Sequence, residues 1–310
     1  MAECDLLAQS ETMHRPNGGK QISLGNTLLL TDFSPTAELA LPWAVMLARQ
    51  YDGKVTVAHV ISPEMYEYTP PGLIAKMRTE IENYGERRMQ MLLSQAEFHN
   101  VPHAGIVRVG EIWDTLQELT ETLDTDVIVV ATRGRRGLKK SLMGAVAQEV
   151  LRLSRTAVLT VGPGCEGGLS QHRLTRILCA NDFSADSVRA TAYAVSLAET
   201  FGALLLVTYV TPVCSDDPLS RTRSEEFFRE RLQELISGQA PYFGRVEYHI
   251  EFGTPSDGIL EAASRENADF IVMGVRGAGS VHRAIHRLGT TADEVVGAAC
   301  CPVLTVRRLG

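Results

Sequence analysis

Short runs of Val, Ile and Leu alternate along the chain with longer stretches whose apolar residues recur every three to four positions. The runs lie near 27–31, 54–60, 105–109, 127–131 and 157–161, and again near 175–180, 203–210, 245–251, 269–274 and 302–306. Apolar runs of this length predict strands buried on both faces, and the amphipathic stretches between them predict covering helices. Strand–helix alternation throughout predicts an α/β fold with parallel sheets. Ser34-Pro35 supplies an N-cap and a first-turn proline for the first helix, and Ser184 the equivalent cap later. Pro42 falls inside that first helical pattern and predicts a kink.

The pattern occurs twice. Thr31-Asp32-Phe33-Ser34 returns as Asn181-Asp182-Phe183-Ser184, 150 residues on. Ala40, Ala44, Leu47, Ala48 and Tyr51 line one helix face, and Ala190, Ala194, Leu197, Ala198 and Phe201 repeat them at the same offset. Further along, Gly110 matches Gly253 and Gly134 matches Gly277, 143 residues apart; Gly144 matches Gly289 and Val158–Val161 matches Val303–Val306, 145 apart. An offset that changes only between elements predicts a duplicated domain. The expected organisation is a disordered tail over 1–23, one domain over 24–162, a linker over 163–173 and a second domain over 174–310. Each domain is expected to be an open five-stranded parallel sheet with helices on both faces, the two related by a pseudo-twofold axis. Strands 157–161 and 302–306 are bare apolar edges, a pairing hazard that two copies on one chain can remove internally.

Composition narrows the function. The 310 residues are 45% hydrophobic and 22% charged, with 37 acidic and 30 basic side chains for a formal charge of −7. That balance argues against sequence-independent nucleic-acid or anionic-membrane binding. No apolar run approaches the ~20 residues of a membrane helix. Glu3 and Asp5 are out of place in a signal peptide. The six cysteines have no C-x-x-C spacing and read as reduced, cytoplasmic thiols, with Cys300–Cys301 expected to be buried small hydrophobes.

In an open α/β sheet, ligands bind beyond the carboxyl ends of the strands where the strand order reverses. After the first strand of each half comes Asp32 or Asp182; after the fourth come glycine loops, from Ala131 through Gly134 to Gly144, and from Gly274 through Gly277 to Gly289. Glycines admit close backbone approach, and the helix each loop opens offers N–H groups to a phosphate. Arg133, Arg135, Arg136, Lys139 and Lys140 could neutralise phosphates or simply form a solvated face. His282 and His286 have metal-compatible spacing but no third ligand, so no metal site is assigned. No P-loop, G-x-S-x-G or H-E-x-x-H motif is present, and no residue is an evident catalyst.

With Thr31-Asp32-Phe33-Ser34, His59-Val60, Gly110-Glu111, Thr156–Val161 and their later counterparts, the chain resembles the universal stress protein family in its tandem two-domain form. The resemblance runs from about residue 24 to 308. The nucleotide-binding branch of that family carries G-x2-G-x9-G-[S/T]. The first half departs from it at Ala131 and Ala145, and the second lengthens the last spacing by two residues. The resemblance implies a Rossmann-like fold and a stress-response protein that binds ATP, with Mg²⁺, or another adenine nucleotide and serves as a nucleotide-dependent switch or interaction module. It implies contacts at Asp182, Val210, Gly274, Gly277, Gly289, Thr290 and Thr291, and at Asp32, Val60, Gly134, Gly144, Ala145 and Val146. It also implies self-association through the last strand, internally or as a homodimer, and at most weak ATP hydrolysis or autophosphorylation. The alternative is a nucleotide-free scaffold of the same fold acting through protein partners.

Overall fold

A computed structural model of the chain describes residues 22–67, 69–132, 143–165, 174–211, 217–239, 244–276 and 290–308. The strands are β1 (Asn26–Leu30), β2 (Lys54–Ile61), β3 (His103–Val109), β4 (Val127–Ala131) and β5 (Ala157–Val161), then β6 (Arg176–Ala180), β7 (Leu204–Thr211), β8 (Val246–Phe252), β9 (Phe270–Gly274) and β10 (Val303–Val306). The helices are α1 (Pro35–Glu38), α2 (Leu41–Gln50), α3 (Ile74–Leu93), α4 (Ile112–Thr122), α5 (Ala145–Leu153), α6 (Ala185–Phe201), α7 (Pro218–Gln239), α8 (Pro255–Arg265) and α9 (Thr290–Ala298).

All ten strands form one sheet in the order β3-β2-β1-β4-β5-β10-β9-β6-β7-β8. Pairing is parallel within each half and antiparallel only between β5 and β10. Two open five-stranded parallel sheets are thus fused edge to edge, and the expected internal pairing is present. Both faces are covered, so alternate residues of a strand enter different cores. Val127, Val129 and Ala131 of β4 join one, while Ile128 and Val130 join the other. The first core takes side chains from α2, α3, α6 and α7, and the second from α4, α5, α8 and α9. Each core runs through both halves.

Reciprocal contacts mark the join. Thr160 Oγ1 donates to the Val303 carbonyl at 3.1 Å, and its counterpart Thr305 donates to the Val158 carbonyl at 3.2 Å. On the face above, Gln50 Nε2 donates at 3.0 Å to the carbonyl of Thr200, 150 residues away and its own equivalent in the repeat. A residue that meets its counterpart lies beside the pseudo-twofold axis.

Both serine caps form: Ser34 Oγ accepts from Ala37 N at 3.1 Å and Ser184 Oγ from Ser187 N at 3.2 Å. Pro42 does more than kink the first helix. The helix breaks into α1 and α2, with Leu39 and Ala40 donating to carbonyls only three residues back. Proline has no N–H for the Glu38 carbonyl and its ring would clash there. The second half has Ala192 at the matching position, and α6 continues unbroken for 17 residues.

Candidate functional site

The strand order reverses at β1 and at β6, and at both places a neighbouring strand runs past the reversal strand. Pairing of β1 with β2 ends at Leu30↔Ala58, whereas β2 continues along β3 to Ile61↔Val109. Pairing of β6 with β7 ends at Ala180↔Thr208, whereas β7 continues along β8 to Thr211↔Phe252. Thr31 N donates to the Ala58 carbonyl at 3.0 Å and Asn181 N to the Thr208 carbonyl at 2.9 Å, so Ala58 and Thr208 direct their backbone groups toward β1 and β6. Residues two further along a parallel strand point the same way. Val60 and Val210 therefore turn their main-chain N–H and C=O toward the space beyond the ends of β1 and β6. Glycine packs behind the second of these: a Cβ on Gly258 of α8 would come within 2.8 Å of Val210 Cγ1.

The chain leaves each reversal strand in the same strained turn. Phe33 and Phe183 have φ of 58° and 60°, a region costly for a side chain of this size. Side chains on both flanks hold it. Thr31 Oγ1 accepts from Phe33 N at 2.9 Å and Asp32 Oδ1 from Ser34 N at 2.9 Å. In the second half Asn181 Oδ1 accepts from Phe183 N at 2.7 Å and Asp182 Oδ1 from Ser184 N at 3.1 Å. Each phenyl ring lies under a guanidinium, with Arg88 Cζ 5.7 Å and Arg231 Cζ 4.3 Å from the ring centres. Arg88 also donates to the Phe33 carbonyl at 3.0 Å. Sequence reasoning missed these arginines, although they are 143 residues apart, the offset already visible at Gly110 and Gly253.

On the other side of β6, Gly274 ends β9. A Cβ there would lie 2.7 Å from Ser187 N and 2.8 Å from the Asp186 carbonyl carbon, so the α6 N-terminus demands glycine. Asp186, whose side chain is 4% exposed, fastens the strand ends to α6. Its carboxylate accepts from Arg276 N at 3.1 Å, Arg276 Nε at 3.1 Å and Arg308 N at 2.9 Å. This buried acid, also missed from sequence, has Thr36 as its counterpart, and the position matching Gly274 is Ala131.

In the first half, Gly144 N donates to the Thr132 carbonyl at 2.7 Å, tying the start of α5 to the end of β4. Gly144 is the N-cap of α5, and no side chain caps the helix, so the N–H groups of Ala145 and Val146 lie at an uncapped start. In the second half Thr290 opens α9 and Thr291 is partly buried in its first turn. Asp293, in the same turn, is pushed above the ordinary carboxylate range by burial and by Glu294. Gly134, Gly277 and Gly289 lie outside the described residues, as do Arg133, Arg135, Arg136, Lys139, Lys140, His282 and His286. Asp32 and Val60 thus follow or end β1 and β2, with Gly144, Ala145 and Val146 at the start of α5; Asp182, Val210 and Gly274 lie at the ends of β6, β7 and β9, with Thr290 and Thr291 at the start of α9.

Two clusters lie elsewhere. The described cysteines, Cys165, Cys179, Cys300 and Cys301, are free thiols. Burial raises Cys165 to about 11, and Cys179 and Cys301 to about 12. Cys300 corrects the expectation of a buried pair: it is exposed, because it lies in the turn between α9 and β10 rather than in the strand. At the outer edge of the sheet, Glu247, His249 and Glu266 gather, with Glu266 held by Arg176 at 3.5 Å and Arg265 at 3.1 Å.

Two Rossmann-like α/β sheets, each parallel with its strand order reversing at β1 or β6 and joined through β5 and β10, define the class. The model of the universal stress protein family matches residues 25–162 and 174–307, and the chain belongs to that family in its tandem form. A universal stress protein of Mycolicibacterium smegmatis is 26% identical over 290 residues, covering 90% of this chain and 96% of its own length. One from Thermus aquaticus is 39% identical over 137 residues, 42% of this chain and 97% of that protein. The crystal structure of a universal stress protein from Archaeoglobus fulgidus superposes with a TM-score of 0.71 at 26% identity, covering 92% of this chain and 99% of that one. Among the described residues, no helix is long and apolar enough to cross a membrane.

Proposed function

We propose that the chain binds an adenine nucleotide at its crevices and acts as a nucleotide-dependent interaction module. The observation that carries this reading is the overhang of β2 and β7, which turns the backbone N–H and C=O of Val60 and Val210 into the space beyond the reversal strands. One residue's N–H and C=O match the acceptor and adjacent amine of adenine. Guanine presents an acceptor and donor in the opposite sense, so the same peptide edge rejects it. Asp32 and Asp182 would take a ribose hydroxyl. The starts of α5 and α9 would receive phosphates through main-chain N–H groups, with the glycines of the loops allowing close approach. Mg²⁺ would arrive on the phosphates. Ala131 and Ala145 leave the first crevice's backbone donors in place.

Output is assigned to conformation and partner binding rather than turnover. The free thiols accord with a reducing, cytoplasmic setting. Denaturing the purified protein and identifying what it releases tests the reading. Adenine nucleotide at a fixed ratio supports it. ADP accumulating from added ATP would make the protein a hydrolase, and a protein that neither retains nor takes up nucleotide is a scaffold of the same fold.

A further inference from the structure

We propose that α3 is a docking surface for a second copy of this chain, with two α3 helices meeting antiparallel about a twofold axis at Tyr84. Exposed large apolar side chains gather there: Leu73, Ile74, Met77, Tyr84 and Met91 are 54%, 36%, 39%, 43% and 66% exposed. Met77, Tyr84 and Met91 are spaced by seven, so they form a stripe about 21 Å long beside the buried line of Gly85, Met89 and Leu92.

The duplication supplies an internal control. At the offset of 143 that relates Arg88 to Arg231, the counterparts in α7 are Ser220, Phe227 and Glu234. The second half keeps the exposed aromatic and replaces both methionines with polar residues. The same fold is therefore built without the stripe, and packing within the chain does not require it. Methionine is an adaptable side chain suited to a contact surface.

Charge selects the occupant. Glu80 and Arg87, both exposed, border the stripe on the same side, one on each side of Tyr84 along the helix. An antiparallel pair centred on Tyr84 sets Met77 against the partner's Met91 and brings Glu80 beside the partner's Arg87, twice by symmetry. A parallel pair would carry this flank to the opposite side of the partner and make neither charge pair. Glu80's contact with Lys76, at 3.9 Å between exposed side chains, holds it weakly. One helix pair buries less than the roughly 800 Å² per partner of a standard interface, so the dimer is weak and concentration-dependent.

Sedimentation velocity on the full chain, from low to high micromolar protein, tests this. The account expects a monomer–dimer equilibrium. Met77→Glu with Met91→Glu raises the dissociation constant about tenfold or more, while the melting temperature changes little, because Met91 faces solvent and Met77 gives up within the chain the hydrogen bond its sulfur accepts from Thr69 Oγ1 at 3.1 Å. Glu80→Arg and Arg87→Glu each weaken the dimer, and the two together restore it. Phe227→Glu leaves it intact. A chain that stays monomeric throughout, a dimer indifferent to the methionine changes, or a double charge swap that fails to restore association overturns the proposal.

Discussion

Leu159 lies directly opposite Leu304 in the antiparallel ladder that joins β5 to β10, and the two leucines are the same residue of the repeat, 145 positions apart. The pseudo-twofold axis passes between them. An isologous contact of this kind is what two separate copies would make through identical edges; here one chain makes it with itself. It closes two apolar edge strands that would otherwise invite aggregation.

The reciprocal hydroxyls flanking this axis predict matched energetics. Thr160→Val and Thr305→Val each remove one buried hydrogen bond to an opposing carbonyl. Each is expected to cost about 1 kcal/mol in urea unfolding, and the two costs should be similar. A cost at only one site would show that the join is asymmetric.

Gly274 and its counterpart Ala131 should respond unequally to small changes. Gly274→Ala drives a methyl against the backbone of α6 and is expected to destabilise by about 1–3 kcal/mol. Ala131→Gly meets no such backbone and should cost under about 1 kcal/mol beyond its lost methyl packing. Equal effects would contradict the close approach of α6 as the reason for the glycine.

Asp293 makes stability pH-dependent with a definite sign. Burial and Glu294 raise its pKa in the fold, so the folded chain favours the protonated form. At neutral pH the group is ionised in both states, and the fold bears the cost; that cost disappears as pH falls through the raised value. Asp293→Asn should therefore raise the melting temperature at pH 7, and the gain should shrink toward pH 4. A loss at pH 7 would mean that the charge at the start of α9 is favourable.

Thiol labelling should separate the cysteines. Cys300 is exposed, whereas Cys165, Cys179 and Cys301 carry thiols held at about 11, about 12 and about 12. Among the four described cysteines, a thiolate-seeking reagent at neutral pH should modify Cys300 first, with Cys165, Cys179 and Cys301 reacting far more slowly until the chain unfolds. Rapid native labelling of Cys179 would contradict its burial under α6.

Much of this architecture is legible in the amino-acid pattern. Strands buried on both faces read as unbroken Val, Ile and Leu, so β4 and β5 stand out at 127–131 and 157–161. The repeat then places Asp32 against Asp182 and Val60 against Val210. What escapes is interaction between distant polar residues. Nothing near Asp186 announces that its carboxylate will meet Arg276 and Arg308, 90 and 122 positions away. The clamp of Arg88 on Phe33 is equally long-range, and the break at Pro42 is deeper than local spacing suggests. The α3 stripe escapes because apolar residues at helical spacing usually face a core, and only the fold shows which side faces outward.

The central claim is that a peptide edge at the strand reversal reads adenine. Calorimetric titration of the intact chain with Mg²⁺–ATP, with Mg²⁺–GTP in parallel, tests it most directly. The account predicts saturable heat with ATP at no more than two sites per chain, much weaker binding of GTP, and a stabilisation of about 2.7 kcal/mol once ATP reaches a hundredfold excess over its dissociation constant. Absence of heat and of any melting shift at several millimolar ATP, or equal binding of GTP, would contradict it.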